Sequence, residues 1–99
     1  MARPKKLSQG EIAARLEDLP GWSIQNGKLH RELRFGDFSE AFAFMTRAAL
    51  AAEQLDHHPE WFNVWATVRV DLTTHDAGGI TELDFALATR MNAFASDVG

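Results

Sequence analysis

Asn26-Gly27 constrains the fold more than any other pair in the chain. Both residues tolerate the positive φ angles of a two-residue hairpin turn, and only such turns match the twist of the strands they join. The flanks agree with this. Trp22 to Gln25 precedes the pair; behind it Leu29, Arg31, Leu33 and Phe35 alternate with His30, Glu32 and Arg34. A period of two describes a strand with one buried face, so the pattern predicts an antiparallel hairpin.

Helices are expected on either side of it. Ser8-Gln9-Gly10-Glu11 has the spacing of a capping box, with Leu7 and Ile12 placed to staple the helix start. Ile12, Ala13, Leu16 and Leu19 form one stripe, and Pro20-Gly21 ends it, giving a helix over about residues 8–18. Asp37-Phe38-Ser39-Glu40 offers a second capping box, and its helix runs to about Leu55. Phe38, Phe42, Met45, Ala49 and Ala52 lie on one stripe of that helix; Phe44, Ala48, Ala51 and Leu55 lie on the next. Together they make an apolar face too wide for one sheet contact. The helix is therefore either deeply central or also packed against another subunit, and the subunit reading is preferred.

Val64 to Thr73 is rich in β-branched residues, with Val68, Val70 and Leu72 alternating against Arg69 and Asp71. No turn signal divides it, so it reads as one long strand or two short ones. Asp76-Ala77-Gly78-Gly79 is a loop. Thr81-Glu82-Leu83-Asp84 caps a last helix whose inward stripe is Leu83, Leu87, Met91 and Phe94, with Ile80 and Phe85 as its staple. The order is α-β-β-α-β-(β)-α. Antiparallel strands with helices gathered on one face make a two-layer α+β domain. The 99 residues suit a single domain, and a chain this small is expected to place any active site in a surface cleft or between subunits.

Charge and cysteine content narrow the function. Ten Lys and Arg against 14 Asp and Glu leave a net charge of −4, with no overall field to attract nucleic acid or an anionic membrane. The absence of cysteine rules out disulfides, thiolate metal sites and a Cys nucleophile, and makes the cytoplasm the expected location. No apolar run reaches the length of a membrane span. The basic start, residues 1–6, is followed by no apolar segment and reads as a frayed terminus, not a signal peptide.

The histidines carry the chemistry. His57-His58-Pro59 follows the long helix just past Glu53 and Asp56; Pro59 disfavours helix at His58 and forces a corner. His75 opens the Gly-rich loop after the strand. Both segments lie at element ends, where side chains reach a cleft without joining the core. His30, by contrast, reads as an ordinary surface residue. Adjacent His57 and His58 lack the i, i+4 spacing that puts two metal ligands on one helix face, so no metal site is expected. Imidazole titrates near neutrality, and proton transfer is the better use for the cluster. Glu53 and Asp84 are placed to orient the imidazoles or to hold polar groups of a substrate. Trp61 and Trp65 near the histidines suggest a flat heteroaromatic ligand, with plain core packing the competing role for both.

Glu53, His57-His58-Pro59, Trp65, His75 and Asp84, in this spacing, resemble the signature of the pterin-4a-carbinolamine dehydratases. Leu55-Asp56-His57-His58-Pro59-Glu60-Trp61-Phe62-Asn63-Val64 is similar to that family word for word, as are Phe42-Ala43-Phe44-Met45-Thr46-Arg47 and Thr74-His75-Asp76-Ala77-Gly78. The likeness spans about Leu7 to Phe94. It implies a four-stranded antiparallel sheet, with Val64–Thr73 split by a tight turn near Ala66-Thr67. It also implies dehydration of a 4a-hydroxytetrahydropterin to the quinonoid dihydropterin, which recycles the spent cofactor of aromatic amino acid hydroxylases. No metal or nucleotide cofactor is then required, because nothing is oxidised or reduced overall. By the resemblance, His57 and His75 are the acid-base pair and His58 chiefly holds substrate. Asp56, Thr73, Thr74 and Asp76 match positions that contact the pterin, Glu53 and Asp84 match carboxylates of the site, and Trp61 matches an aromatic lining the pocket. Members are homodimers or homotetramers. Some animal members also act as dimerisation cofactors of a transcription factor, and pterin handling in molybdenum-cofactor metabolism would use a similar site.

Overall fold

The computed structural model describes residues 4–98. The expectation of a frayed start falls partly on Met1, Ala2 and Arg3, which lie outside the described residues. The elements run α1 (Gln9–Leu16), β1 (Ser23–Gln25), β2 (Lys28–Arg34), α2 (Phe38–Leu55), β3 (Glu60–Val64), β4 (Thr67–Leu72) and α3 (Glu82–Val98), with a short 3-10 turn at His75–Ala77. The four strands form one antiparallel sheet in the order β1-β2-β4-β3. The class is α+β, in the order α-β-β-α-β-β-α anticipated from the sequence.

The local signals act as their chemistry dictates. Asn26 and Gly27 take φ values of 53° and 76° and join β1 to β2. At α1 the Glu11 amide donates to Ser8 Oγ, and the Ser8 amide donates to Glu11 Oε1, a complete capping box. The box at α2 is only half formed. Asp37 accepts from the Glu40 amide at 2.9 Å, but the Glu40 carboxylate takes the Gly36 amide instead of that of Asp37. Helix α1 stops at Leu16, two residues short of the expected end, and Leu19 reaches the core from the turn beyond it.

One face of the sheet supplies Leu29, Leu33, Val68, Val70 and Leu72 to the core. The helices answer with Ala41, Phe44, Ala48, Ala51 and Ala52 from α2, and Phe85, Leu87, Ala88 and Met91 from α3. Alanines at the α2 contact points let the helices approach closely, while Phe44 fills the remaining space against Phe35, with ring centroids 5.3 Å apart. Arg31 shares the inward side of β2, and its guanidinium reaches Asn92, which also accepts from Trp22 Nε1 at 2.7 Å. Burial holds the Arg31 guanidinium below its ordinary pKa.

The structure narrows two expectations. Of the two α2 stripes, that of Phe44, Ala48 and Ala51 is buried, whereas Phe38, Phe42 and Ala49 on the other are exposed. The helix is not central: one side packs on the sheet and α3, and the other is open. The β3–β4 turn is Trp65-Ala66, one residue earlier than expected, with Trp65 at φ 49° and its ring exposed beneath Arg34. Trp65 is neither core nor close to the histidines. Among the described residues no helix is long and apolar enough to cross a membrane.

Candidate active site

Register brings the separated histidine segments together. Glu60 pairs with Asp71, so the start of β3 lies beside the end of β4. The residues just before β3 and just after β4 must then adjoin. They line a cleft of about 230 Å³ formed by Asp56, His57, His58, Thr73, Thr74, His75 and Asp76. All three imidazoles singled out in the sequence are in it, with four of the seven residues proposed to contact a ligand.

The end of α2 aims the first imidazole. Asp56 adopts the left-handed conformation (φ 49°, ψ 45°), which a short polar side chain tolerates better than most. This turns the chain so that the His57 amide donates back to Ala52 O at 3.0 Å. The His57 ring is thereby driven inward and is only 8% exposed. Its Nε2 lies 2.5 Å from Oδ1 of Asp84, which is fully buried.

Asp84 is held from three sides. Its Oδ2 accepts from the Thr81 amide at 2.8 Å and from Thr74 Oγ1 at 2.9 Å. Because Thr74 spends its proton on Asp84, the Thr81 hydroxyl donates to Thr74 Oγ1 (2.7 Å), and Thr81 Oγ1 in turn accepts from the Leu83 amide (3.2 Å). Every member of this chain is satisfied, as a buried polar network requires. The anticipated cap of α3 is thus also the support of His57. An ionised carboxylate only accepts, so the shared proton sits on His57 Nε2, and Nδ1 has no hydrogen-bond partner among the described residues.

The other imidazoles are exposed. His58 Nε2 meets Glu53 Oε1 at 2.5 Å on the rim. His75, 80% exposed in its side chain, meets Glu60 Oε2 at 3.2 Å. Glu53 therefore adjoins an imidazole without lining the cleft, and Asp84 lies beneath the cleft instead of opening into it. Trp61 is not part of the cleft. Its position opposite Val70 turns it toward the core, against which it packs half-buried. His30 pairs with Asp71 on the open sheet face, 2.9 Å away. Glu60 and its second partner, Lys28, were not among the residues singled out from the sequence. The available signal was Glu60's place at the head of the strand that follows Pro59. Among the described residues no group of three or more His, Asp or Glu side chains is arranged to hold a metal ion.

The chain matches the family described as Pterin 4 alpha carbinolamine dehydratase over residues 5–94. It belongs to that family. A provisionally named pterin-4-alpha-carbinolamine dehydratase of Solibacter usitatus is 57% identical over 92% of this chain and 96% of its own. One of Chelativorans sp. with the same provisional name is 58% identical over 97% of this chain and 99% of its own. Among solved structures, a protein of Brucella melitensis described as a transcriptional coactivator/pterin dehydratase superposes with a TM-score of 0.89 at 48% identity, covering 92% of this chain and 99% of that one. The family fold and the order of elements are those described above.

Proposed function

We propose that this protein dehydrates 4a-hydroxytetrahydropterins to the quinonoid dihydropterin and water, as a hydro-lyase that recycles the cofactor of aromatic amino acid hydroxylases. The observation carrying this reading is the convergence of His57, His58 and His75 on one cleft, with His57 backed by a buried carboxylate. The names of the relatives supply the substrate class.

The chemistry needs one base and one acid. Hydroxide is a poor leaving group at C4a, so an acid must protonate the hydroxyl while a base removes a proton from a ring nitrogen. His57 Nδ1 is the base: it has no other hydrogen-bond partner among the described residues, and Asp84 behind it stabilises the imidazolium that forms. His75 is the acid. The C4a–O bond breaks with its electron pair going to oxygen, which leaves as water, and the ring nitrogen's electrons form the new double bond. Nothing is oxidised or reduced, so no metal or nucleotide cofactor enters. His58, with Glu53, holds substrate at the rim, and Asp56, Thr73, Thr74 and Asp76 position the ring, partly through backbone groups. Positioned acid-base groups typically contribute ~10²–10⁴-fold, and fixing the bicycle between them contributes further. Trp61 is left out of the ligand contacts because it faces the core.

A cytoplasmic homo-oligomer completes the reading. Phe38, Phe42 and Leu50 on α2, Phe62 and Val64 on edge strand β3, and Trp65 in the turn after it are large exposed apolar side chains of the kind that copies of a chain cover in one another. The same α2 face supports a second role as a regulatory binding surface, the coactivator role that the Brucella protein's description pairs with dehydratase. The decisive assay supplies 4a-hydroxytetrahydropterin and follows quinonoid dihydropterin by absorbance. Acceleration over buffer is expected; a folded protein that gives none refutes the proposal.

A further inference from the structure

We infer that Glu60 is a positioning residue for His75, and that Lys28 sets how strongly it acts. The three side chains come from three places. Glu60 opens β3 directly after Pro59, and its register opposite Asp71 puts it on the open sheet face at the cleft end. Its two oxygens are divided. Oε2 meets His75 Nε2 at 3.2 Å, while Oε1 accepts from Lys28 Nζ at 2.6 Å. Lys28 follows the Asn26-Gly27 turn and reaches over β4 from β2, across about 10 Å of sheet.

The arrangement does two things for His75. It gives a fixed partner to a side chain that is 80% exposed. It also places the proton: a carboxylate only accepts, so Nε2–H points at Glu60, and in the imidazolium the second proton, on Nδ1, is the one available to a substrate. The carboxylate favours the charged imidazole, and the ammonium on its far side opposes it. Glu60 is itself held below the usual carboxylate range, by Lys28 first and by His75 in smaller part. Among the described residues, the other titratable groups around this trio are Asp56, His57 and His58 from the α2–β3 connection, Asp76 beside His75 in the chain, and Asp71 with its partner His30 on the open face between Glu60 and Lys28. All of them remain in both variants below.

The two partners therefore push His75 in opposite directions, a pattern that simple loss of structure does not produce. The experiment is an NMR titration of the histidine Cε1–H resonances in the parent, Glu60→Gln and Lys28→Met. Removing the carboxylate in Glu60→Gln is expected to move the His75 resonance midpoint to lower pH, and removing the ammonium behind it in Lys28→Met to move it the opposite way. The His57 midpoint stays in place. An unmoved His75, or movement in the same direction in both variants, overturns the inference. If Glu60→Gln fails to fold, the sign of the change in Lys28→Met decides alone. The catalytic consequence rests on the dehydratase reading: the alkaline limb of kcat follows His75, downward in Glu60→Gln and upward in Lys28→Met. A parent without dehydratase activity defeats that reading and leaves the titration result standing.

Discussion

Replacing Asp84 by asparagine separates the two tasks of this carboxylate. The side chain keeps its shape. With its amide oxygen in place of Oδ2, it still accepts from the Thr81 amide and from Thr74 Oγ1. Its NH₂ then occupies the Oδ1 position, 2.5 Å from His57 Nε2. Two donors cannot face each other, so Nε2 must become the acceptor and the imidazole proton must move to Nδ1. In stability, three charge-assisted bonds become neutral ones at about 1 kcal/mol each, partly offset because a buried charge is no longer desolvated. The net cost is about 1–3 kcal/mol, small enough to leave a folded protein in many cases. In function, the cleft-facing nitrogen of His57 turns from acceptor to donor, and on the proposed general-base role a loss of ~10²–10⁴ in dehydration rate is expected. Three measurements check this: urea unfolding, ¹⁵N shifts that report the tautomer, and the dehydration rate. Asp84→Ala gives a contrast, since it strips the acceptor from all three donors and costs ~3–5 kcal/mol. An Asp84→Asn protein that keeps the Nε2–H tautomer and turns over like the parent would refute the orientation argument.

Further expectations concern packing, turns, charge and assembly. Phe44→Ala empties the centre of the helix–sheet contact and is expected to cost ~3–5 kcal/mol in chemical denaturation; a cost below about 1 kcal/mol would show that the core closes over the gap. Gly27→Ala meets no atom within 4 Å, so its cost is the positive φ alone, about 1 kcal/mol, and the melting curve should show that loss without a change in fold. Because the folded-state pKa of Glu60 is lowered, its ion pairs stabilise the protein above the usual carboxylate value near 4.5, and that contribution fades as pH falls through the lowered value. Unfolding curves of the parent and Glu60→Gln should therefore differ by a few tenths of a kcal/mol at neutral pH and converge in acid. Phe42→Glu puts a charge on the open α2 face, and light scattering should show a smaller assembly than the parent if copies meet there.

Most of the scaffold was legible because its signals are local. Asn26-Gly27 needs only its own backbone to turn, and Ser8-Gln9-Gly10-Glu11 and Thr81-Glu82-Leu83-Asp84 close their caps within one helical turn. Where local chemistry is silent, the sequence carries less. The turn at Trp65-Ala66 uses a bulky residue at positive φ, so no Gly or Asn marked it. The width of the apolar face on α2 was plain, but which stripe meets the sheet depends on α3 and β4, far away in sequence. The site shows the same division. Proximity of His57, His58 and Asp56 follows from adjacency, and their meeting with His75 follows from strand register. Trp61 packs on the core side of β3, which nearness along the chain does not reveal. Lys28 and Glu60 escaped notice because their contact crosses an intervening strand.

The sharing of Asp84 between His57 and the first turn of α3 has a consequence for heat inactivation. The groups that start the helix are the groups that hold the imidazole, so unravelling of that one turn disarms the cleft while the rest of the sheet still stands. Turnover in a warming sample would then decay ahead of the bulk melt. Anyone grafting the imidazole trio onto a different scaffold has to carry the opening of this helix along with it.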